Sequence, residues 1–175
     1  MTGGNEDTWY DLKGVEMGTA ILSPCGNYRY LLGRRWSDGG LCCFVMLNPS
    51  TADADKDDPT IRRCIGYAKR EGMGALEVVN LFAYRATDPK SLLNAKDPIG
   101  PENDKFLREV FKRADLIVCA WGNHGAFKSR DLQVEKLIGA KAKCLGVTSN
   151  NHPRHPLRVR KDAPLLQMQF REGVD

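Results

Sequence analysis

Apolar and polar residues follow one another along the chain in two patterns, one typical of strands and one typical of helices. Residues 19–23 and 28–33 flank the turn-forming tetrapeptide Pro-Cys-Gly-Asn and predict a β-hairpin. Residues 41–47 form a continuous apolar run, which is typical of a strand buried on both faces of a parallel sheet. Asp58 and Pro59 then supply an N-cap and a first helical turn, and the apolar residues that follow at helical spacing predict a helix.

The same alternation continues to the end of the chain. Further strands are predicted at residues 76–79, 116–120 and 144–147, with an edge strand at 164–170. Helices are predicted from about residue 101 and over residues 126–138. This order predicts an α/β fold, a three-layer α/β/α sandwich with a central, mostly parallel four-stranded sheet and an attached N-terminal β-hairpin.

Length and composition fit one soluble globular domain. The chain has 175 residues, of which 42% are apolar and 27% charged. Residues 1–16 lack periodicity and predict a loosely held arm, so that residues 17–175 form the single domain. The longest apolar run is far shorter than the roughly 20 residues of a membrane helix. Since the start of the chain also lacks the apolar segment of a secretory signal, we expect a cytoplasmic protein.

Cysteine spacing and net charge limit the kinds of site and partner that the sequence predicts. The six cysteines contain no Cys-x-x-Cys pair, so we expect reduced thiols and neither a metal nor another cofactor. The net charge of +4 favours anionic partners, and a basic stretch lies near the end of the chain, formed by Arg154, Arg158, Arg160 and Lys161.

The loops that follow the four predicted parallel strands carry the candidate chemistry. In open α/β sheets, ligands bind beyond the carboxyl ends of the strands. The four loops cover residues 48–53, 80–85, 121–125 and 148–158, and they contain all three histidines of the chain. We therefore expect a site at this edge, where Asn48, Asn80, His124 and His155 converge on one pocket.

Each of these residues also has a structural interpretation. Asn48 precedes a proline and can initiate a turn, and Asn80 can satisfy loop backbone groups. Trp121 can simply cover the edge of the sheet. His152 and His155 have a spacing compatible with zinc, but no third soft ligand lies near them in the sequence.

Two resemblances rest on the ordered motifs of these loops. Leu-Asn-Pro-Ser at 47–50, Val-Val-Asn at 78–80, Trp-Gly-Asn-His at 121–124 and His-Pro-Arg-His-Pro-Leu at 152–157 resemble the motifs of the uracil-DNA glycosylase superfamily in order and spacing. Met46 and Ser50 stand where the mismatch-specific members carry glycines. Nearly the whole chain also resembles an uncharacterised bacterial and phage domain-of-unknown-function family (DUF 1643 type), which implies no activity.

The glycosylase resemblance implies roles for individual residues. Asn48 would hold and polarise a water, with Asp53 as an alternative activator. Asn80 would read the Watson–Crick edge of a pyrimidine, and His155, with His152 as runner-up, would donate to the base carbonyl. The other base-binding candidates are Phe82, Tyr84, Trp121 and His124, and the basic stretch of Arg154, Arg158, Arg160 and Lys161 would contact phosphates.

Together these features predict a glycosylase-like protein that acts on or recognises a nucleobase, in single-stranded or damaged DNA or in a nucleotide. The reaction would be hydrolysis of the N-glycosidic bond. The alternative is a binding module of the same fold that recognises a nucleic acid, a nucleotide or a protein without turnover, and fold alone does not separate the two.

Overall fold

The computed structural model describes residues 17–170, so the arm predicted for residues 1–16 lies outside the described residues. The strands are β1 Met17–Leu22, β2 Arg29–Arg35, β3 Leu41–Met46, β4 Ala75–Asn80, β5 Leu116–Cys119, β6 Ala142–Cys144 and β7 Leu166–Gln167. The helices are α1 Pro59–Arg70, α2 Lys90–Asn94, α3 Asn103–Arg113 and α4 Arg130–Ile138. Short 3-10 helices cover Asn123–Ser129 and Pro156–Arg158.

All the described strands join one mixed sheet with the order β1-β2-β4-β3-β5-β6-β7. The pairs β3–β4, β3–β5 and β5–β6 are parallel, whereas β1–β2, β2–β4 and β6–β7 are antiparallel. The predicted four-stranded, mostly parallel sheet is therefore wrong in its extent. Its four strands form the centre, but the sheet has seven strands, because the hairpin and β7 extend it at its two edges.

Burial of β2 on both faces explains why the hairpin belongs to the sheet. Successive side chains of a strand point to opposite faces. Leu31 and Leu32 are both buried, and each belongs to a different hydrophobic cluster. Such a strand has to lie inside a sheet that is covered on both sides, and pairing with β1 and β4 provides this position.

Helices cover both faces of the sheet. Helix α1 buries Ile61, Cys64 and Ala68 against one face, and the side chain of Asp58 accepts a hydrogen bond from the Ile61 amide at 2.8 Å. This confirms the predicted N-cap. Helices α3 and α4 pack on the other face through Leu107, Val110, Val134 and Ile138.

Two predicted elements differ in their limits. The helix predicted over residues 126–138 is split into a 3-10 segment and α4, because Lys128 and Ser129 adopt positive φ angles of 54° and 53°. The strand predicted at 144–147 ends at Cys144, two residues before Gly146 with its φ of 105°. No helix among the described residues is long and apolar enough to cross a membrane.

Replacing Gly74 by alanine should destabilise the fold. An added Cβ would lie 2.3 Å from the Gly39 amide nitrogen and 2.6 Å from Ser37 Oγ, where two backbone segments meet. We expect the free energy of unfolding to fall by about 1–3 kcal/mol, as for other overpacked sites. Urea unfolding monitored by circular dichroism measures it.

Gly66→Ala is the matched control. This glycine lies inside α1, and an added Cβ meets no atom within 4 Å. Because alanine favours the helix by about 0.5–1 kcal/mol, this variant should be more stable than the wild type. Equal stability of the two variants would contradict the close backbone contact at Gly74.

Candidate functional site

A cavity of about 850 Å³ opens at the carboxyl ends of the parallel strands. Met46 and Asn80 are the last residues of β3 and β4, and Trp121 lies two residues after the end of β5. The loop after β6 and the N-terminus of α1 complete the lining. The structure brings Asn48, Asn80, His124 and His155 to this one cavity. The site residues predicted from sequence that line it are Asn48, Asn80, Trp121, His124, Arg154, His155 and Arg158.

Asn80 is the most unusual of these residues. It is the last residue of β4, and only 1% of its surface is exposed. Neither Oδ1 nor Nδ2 of its side chain has a hydrogen-bond partner among the described residues. Leaving a buried polar group unpaired costs about 1–3 kcal/mol. A buried amide that lines a cavity with both of its polar atoms unpaired is therefore a candidate for ligand recognition.

Two buried side chains fix the backbone around Asn80. Asn103 Nδ2 donates to the carbonyl oxygens of Asn80 at 2.9 Å and Leu81 at 3.1 Å, and Arg130 Nε donates to the same Leu81 oxygen at 2.8 Å. The Arg130 guanidinium also forms an ion pair with Asp104. These bonds hold the end of β4 in place beyond the last strand pairing.

Asn103 and Arg130 are not among the site residues predicted from sequence, although their spacing carries a signal. Asn103 precedes Leu107 and Val110 by four and seven residues, and Arg130 precedes Val134 and Ile138 by four and eight. These spacings place both polar residues on the apolar faces of their helices. A polar residue on such a face needs a buried partner, and here the loop carbonyls after β4 are that partner.

Asn48 lines the cavity with its amide nitrogen already engaged. Its Nδ2 donates to the carbonyl oxygen of Ala86 at 2.8 Å and that of Pro49 at 3.2 Å. Within the described part of the chain, no hydrogen bond is made to its Oδ1. Since the donor atoms are engaged, the free oxygen can accept a hydrogen bond from a water molecule or a ligand.

His155 is held as a neutral hydrogen-bond donor. Its Nδ1 accepts from the Leu157 amide at 3.1 Å, so the neutral ring carries its proton on Nε2. Burial lowers the pKa of His155, the charge of Arg158 lowers it further, and Asp58 opposes both effects. The residue lines the cavity, where an Nε2–H group can donate to a ligand.

Trp121 and His124 form the wall after β5. Trp121 is buried, and Gly125 packs so closely against it that an added Cβ would lie 2.2 Å from the indole Cδ1. The indole Nε1 has no partner among the described residues. His124 is exposed at the rim, and Gly122, with a φ of 74°, lets its amide donate to the Pro153 carbonyl at 2.8 Å.

The cavity lining is positively charged. Among the described residues, Arg29, Arg154 and Arg158 contribute three cations to the lining, and Asp58 is its one carboxylate. One oxygen of Asp58 is engaged as the N-cap of α1. Arg29 is not among the residues predicted from sequence, because a charged residue at the start of a strand is usually exposed.

Four of the predicted catalytic and base-binding residues lie away from the cavity lining. Phe82 is fully buried and packs against Phe127 at 5.6 Å, and Tyr84 packs edge-on against Tyr28 at 6.0 Å. The predicted stacking roles therefore have no support from their positions. The other two residues are Asp53 and His152. His152 lies in the protein interior, with its Nδ1 3.5 Å from Asp131 Oδ2.

Asp53 is a poor candidate for activating a water. Its Oδ1 accepts from the amides of Asp55 and Lys56 at 2.9 and 2.8 Å, which ties the carboxylate to its own exposed turn. These hydrogen bonds lower the pKa of Asp53, and a weaker base results.

The second half of the basic stretch also lies outside the cavity lining. Arg160 forms two hydrogen bonds with the Asp162 carboxylate at 3.0 and 3.1 Å, which offsets its charge. Lys161 lines a separate groove along α1, together with Arg62, Arg63 and Arg70. Only Arg154 and Arg158 of the stretch line the cavity.

Within residues 17–170, no group of three metal-ligating side chains is present. Five cysteines are buried, and burial raises the pKa of Cys42 to about 12, so this thiol is not a nucleophile at neutral pH. Cys25 is exposed in the turn of the hairpin and does not line the cavity.

Comparison with known proteins identifies a family. Residues 29–157 match the family described as "Protein of unknown function (DUF1643)". The chain belongs to this family. The matched segment runs from β2 to the 3-10 turn and includes every cavity-lining residue except Arg158. No curated protein and no solved structure matches the chain, so the resemblance to uracil-DNA glycosylases finds no support there.

Titration of His155 tests the electrostatics of this DUF1643 cavity. Because burial and Arg158 both disfavour the charged ring, its Hε1 resonance should titrate with a pKa below 6.5. Arg158→Ala should move the pKa upward, whereas Arg160→Ala should leave it unchanged. NMR measures the His155 pKa in the wild type and in both variants. A wild-type pKa at or above 6.5 would contradict the geometry.

Proposed function

We propose that the cavity binds a nucleobase, presented by a nucleotide or by a single-stranded or damaged nucleic acid, and that Asn80 recognises it. The observation that carries this proposal is the buried, unpaired amide of Asn80. An amide offers an acceptor and donors side by side. The Watson–Crick edge of a pyrimidine has a matching pair, N3–H and O4 in uracil or N3 and the amino group in cytosine.

Hydrolysis of the N-glycosidic bond is the first candidate function of this site. In this reaction the Asn48 oxygen orients a water, whose oxygen bonds to C1′ of the sugar while the C1′–N bond breaks. The bonding electron pair leaves with the base, and the water proton passes to solvent. His155 Nε2–H donates to the base carbonyl oxygen, where negative charge develops. The support for this step is the free Asn48 oxygen and the tautomer of His155.

Recognition without turnover is the second candidate, and the composition of the cavity favours it. An asparagine cannot take a proton from water. Asp58, the one carboxylate that the described residues contribute to the lining, is engaged as a helix cap. Met46 and Ser50 line the cavity at the positions where the mismatch-specific glycosylases carry glycines, and their bulk narrows the approach to a sugar.

Asn80→Ala should weaken binding of pyrimidine nucleosides and nucleotides. We expect the Kd to rise by a factor of about 10–100, because one or two hydrogen bonds to the base are lost. Isothermal titration calorimetry measures it. Asn94→Ala, which removes an exposed amide outside the cavity, is the control and should leave the Kd unchanged.

Assaying base release from the same ligands separates the two candidate functions. Release that His155→Ala abolishes supports hydrolysis, and tight binding with no release supports recognition alone. Failure of the wild type to bind any nucleoside, nucleotide or oligonucleotide would overturn the proposal.

Arg154 and Arg158 should supply the salt-dependent part of nucleic-acid affinity. Each contact to a phosphate releases counterions, so replacing either arginine by alanine should reduce the log–log salt slope by roughly one. Arg160→Ala should change it less, because Asp162 already offsets that charge. Fluorescence anisotropy with single-stranded oligonucleotides at several salt concentrations provides the slopes. An unchanged slope in Arg154→Ala and Arg158→Ala would contradict the assignment.

A further inference from the structure

Arg29 is a buried cation at the cavity. It is the first residue of β2, lines the cavity and has only 3% of its surface exposed. Its Nη1 donates to the Ala52 carbonyl at 2.7 Å, and its buried Nε has no partner among the described residues. Burial lowers the pKa of Arg29 to about 10, which leaves the guanidinium charged at neutral pH.

The buried charge of Arg29 would be stabilised by a bound anion. Taking a guanidinium out of water is costly unless an opposite charge and hydrogen bonds compensate it. No carboxylate forms a salt bridge with Arg29 within the described chain. Asp58, which shares the lining, attracts this charge and raises the pKa of Arg29, but it forms no salt bridge with it and uses one oxygen to cap α1. Arg154 and Arg158 add further positive charge to the same cavity.

The position of Arg29 relates this charge to the proposed base site. Strand β2 lies beside β4 in the sheet, and the Arg29 amide donates to the Ala83 carbonyl at 3.0 Å, three residues after Asn80. Both residues line one cavity of about 850 Å³. This volume lies within the range of about 300–1,000 Å³ that is typical of small-molecule sites.

We propose that Arg29 forms a phosphate subsite, so that the ligand of the cavity is a phosphorylated nucleoside rather than a free base or an unphosphorylated nucleoside. A guanidinium has parallel N–H donors that match phosphate oxygens. The identity of the base moiety rests on the function proposed above, whereas the phosphate contact rests on Arg29 alone.

Calorimetry with matched ligands tests the subsite. Uridine and cytidine are compared with their 5′-monophosphates, and the monophosphate should bind at least about tenfold more tightly, the factor of one charge-assisted hydrogen bond. In Arg29→Met this ratio should fall by about tenfold, and the ratio rather than either single Kd is the readout, because the variant also loses the bond to the Ala52 carbonyl. Arg29→Lys should keep part of the preference. The control, Arg160→Met, removes an exposed arginine outside the cavity and should keep the full ratio.

A trinucleotide of the same base identifies the kind of phosphate. Tighter binding than the monophosphate assigns the subsite to a phosphodiester of a strand, and weaker binding assigns it to a phosphate monoester. Both results support the subsite only if Arg29→Met reduces the gain in affinity that the phosphate provides. If circular dichroism shows that Arg29→Met does not fold, the ratios of nucleoside to monophosphate Kd in the wild type and in Arg29→Lys test the subsite instead.

The outcomes separate this inference from the function on which it rests. Equal Kd values for nucleoside and monophosphate in the wild type would overturn the subsite and leave base recognition intact. If no nucleoside or nucleotide binds, base recognition fails, and the thermal shift with inorganic phosphate tests Arg29 by itself. A rise in Tm in the wild type that Arg29→Met loses supports the phosphate site, and no rise overturns it.

Discussion

The carbonyl groups at the end of β4 set the geometry of the cavity. Where β4 ends, the carbonyl oxygens of Asn80 and Leu81 accept hydrogen bonds from side chains. Asn103 of α3 donates to both oxygens, and Arg130 of α4 donates to that of Leu81. Buried carbonyls without donors would favour water entry and a different course of the chain. Because the backbone is fixed in this way, the Asn80 side chain stays in the cavity lining. Loops supply most of the other lining residues.

The hairpin contributes more than an edge to the sheet. Because β2 pairs with β4, its first residue lies next to the end of a central strand. The link from Arg29 to the Ala52 carbonyl then joins the hairpin to the loop after β3. Three chain segments that are distant in sequence thus meet at one end of the sheet, and the cavity depends on all three.

Sequence patterns predicted the loops of the site better than the orientation of single side chains. The rule that ligands bind at the carboxyl ends of parallel strands led to the loops that line the cavity. It could not distinguish His155 from His152, since both precede proline in one loop and only tertiary contact with Asp131 draws His152 inward. The sequence could not show that Phe82 lies in the core either, because a buried core position and a stacking position require the same residue type.

The hydrogen bond from the Leu157 amide to His155 Nδ1 has a consequence under acidic conditions. A doubly protonated imidazole has no lone pair at Nδ1, so two N–H groups would face each other across the same short distance. The 3-10 turn Pro156–Arg158 would lose the acceptor at its N-terminus. Acid therefore acts on the backbone at the mouth of the cavity as well as on the ring, and Arg158 would move with the turn that carries it.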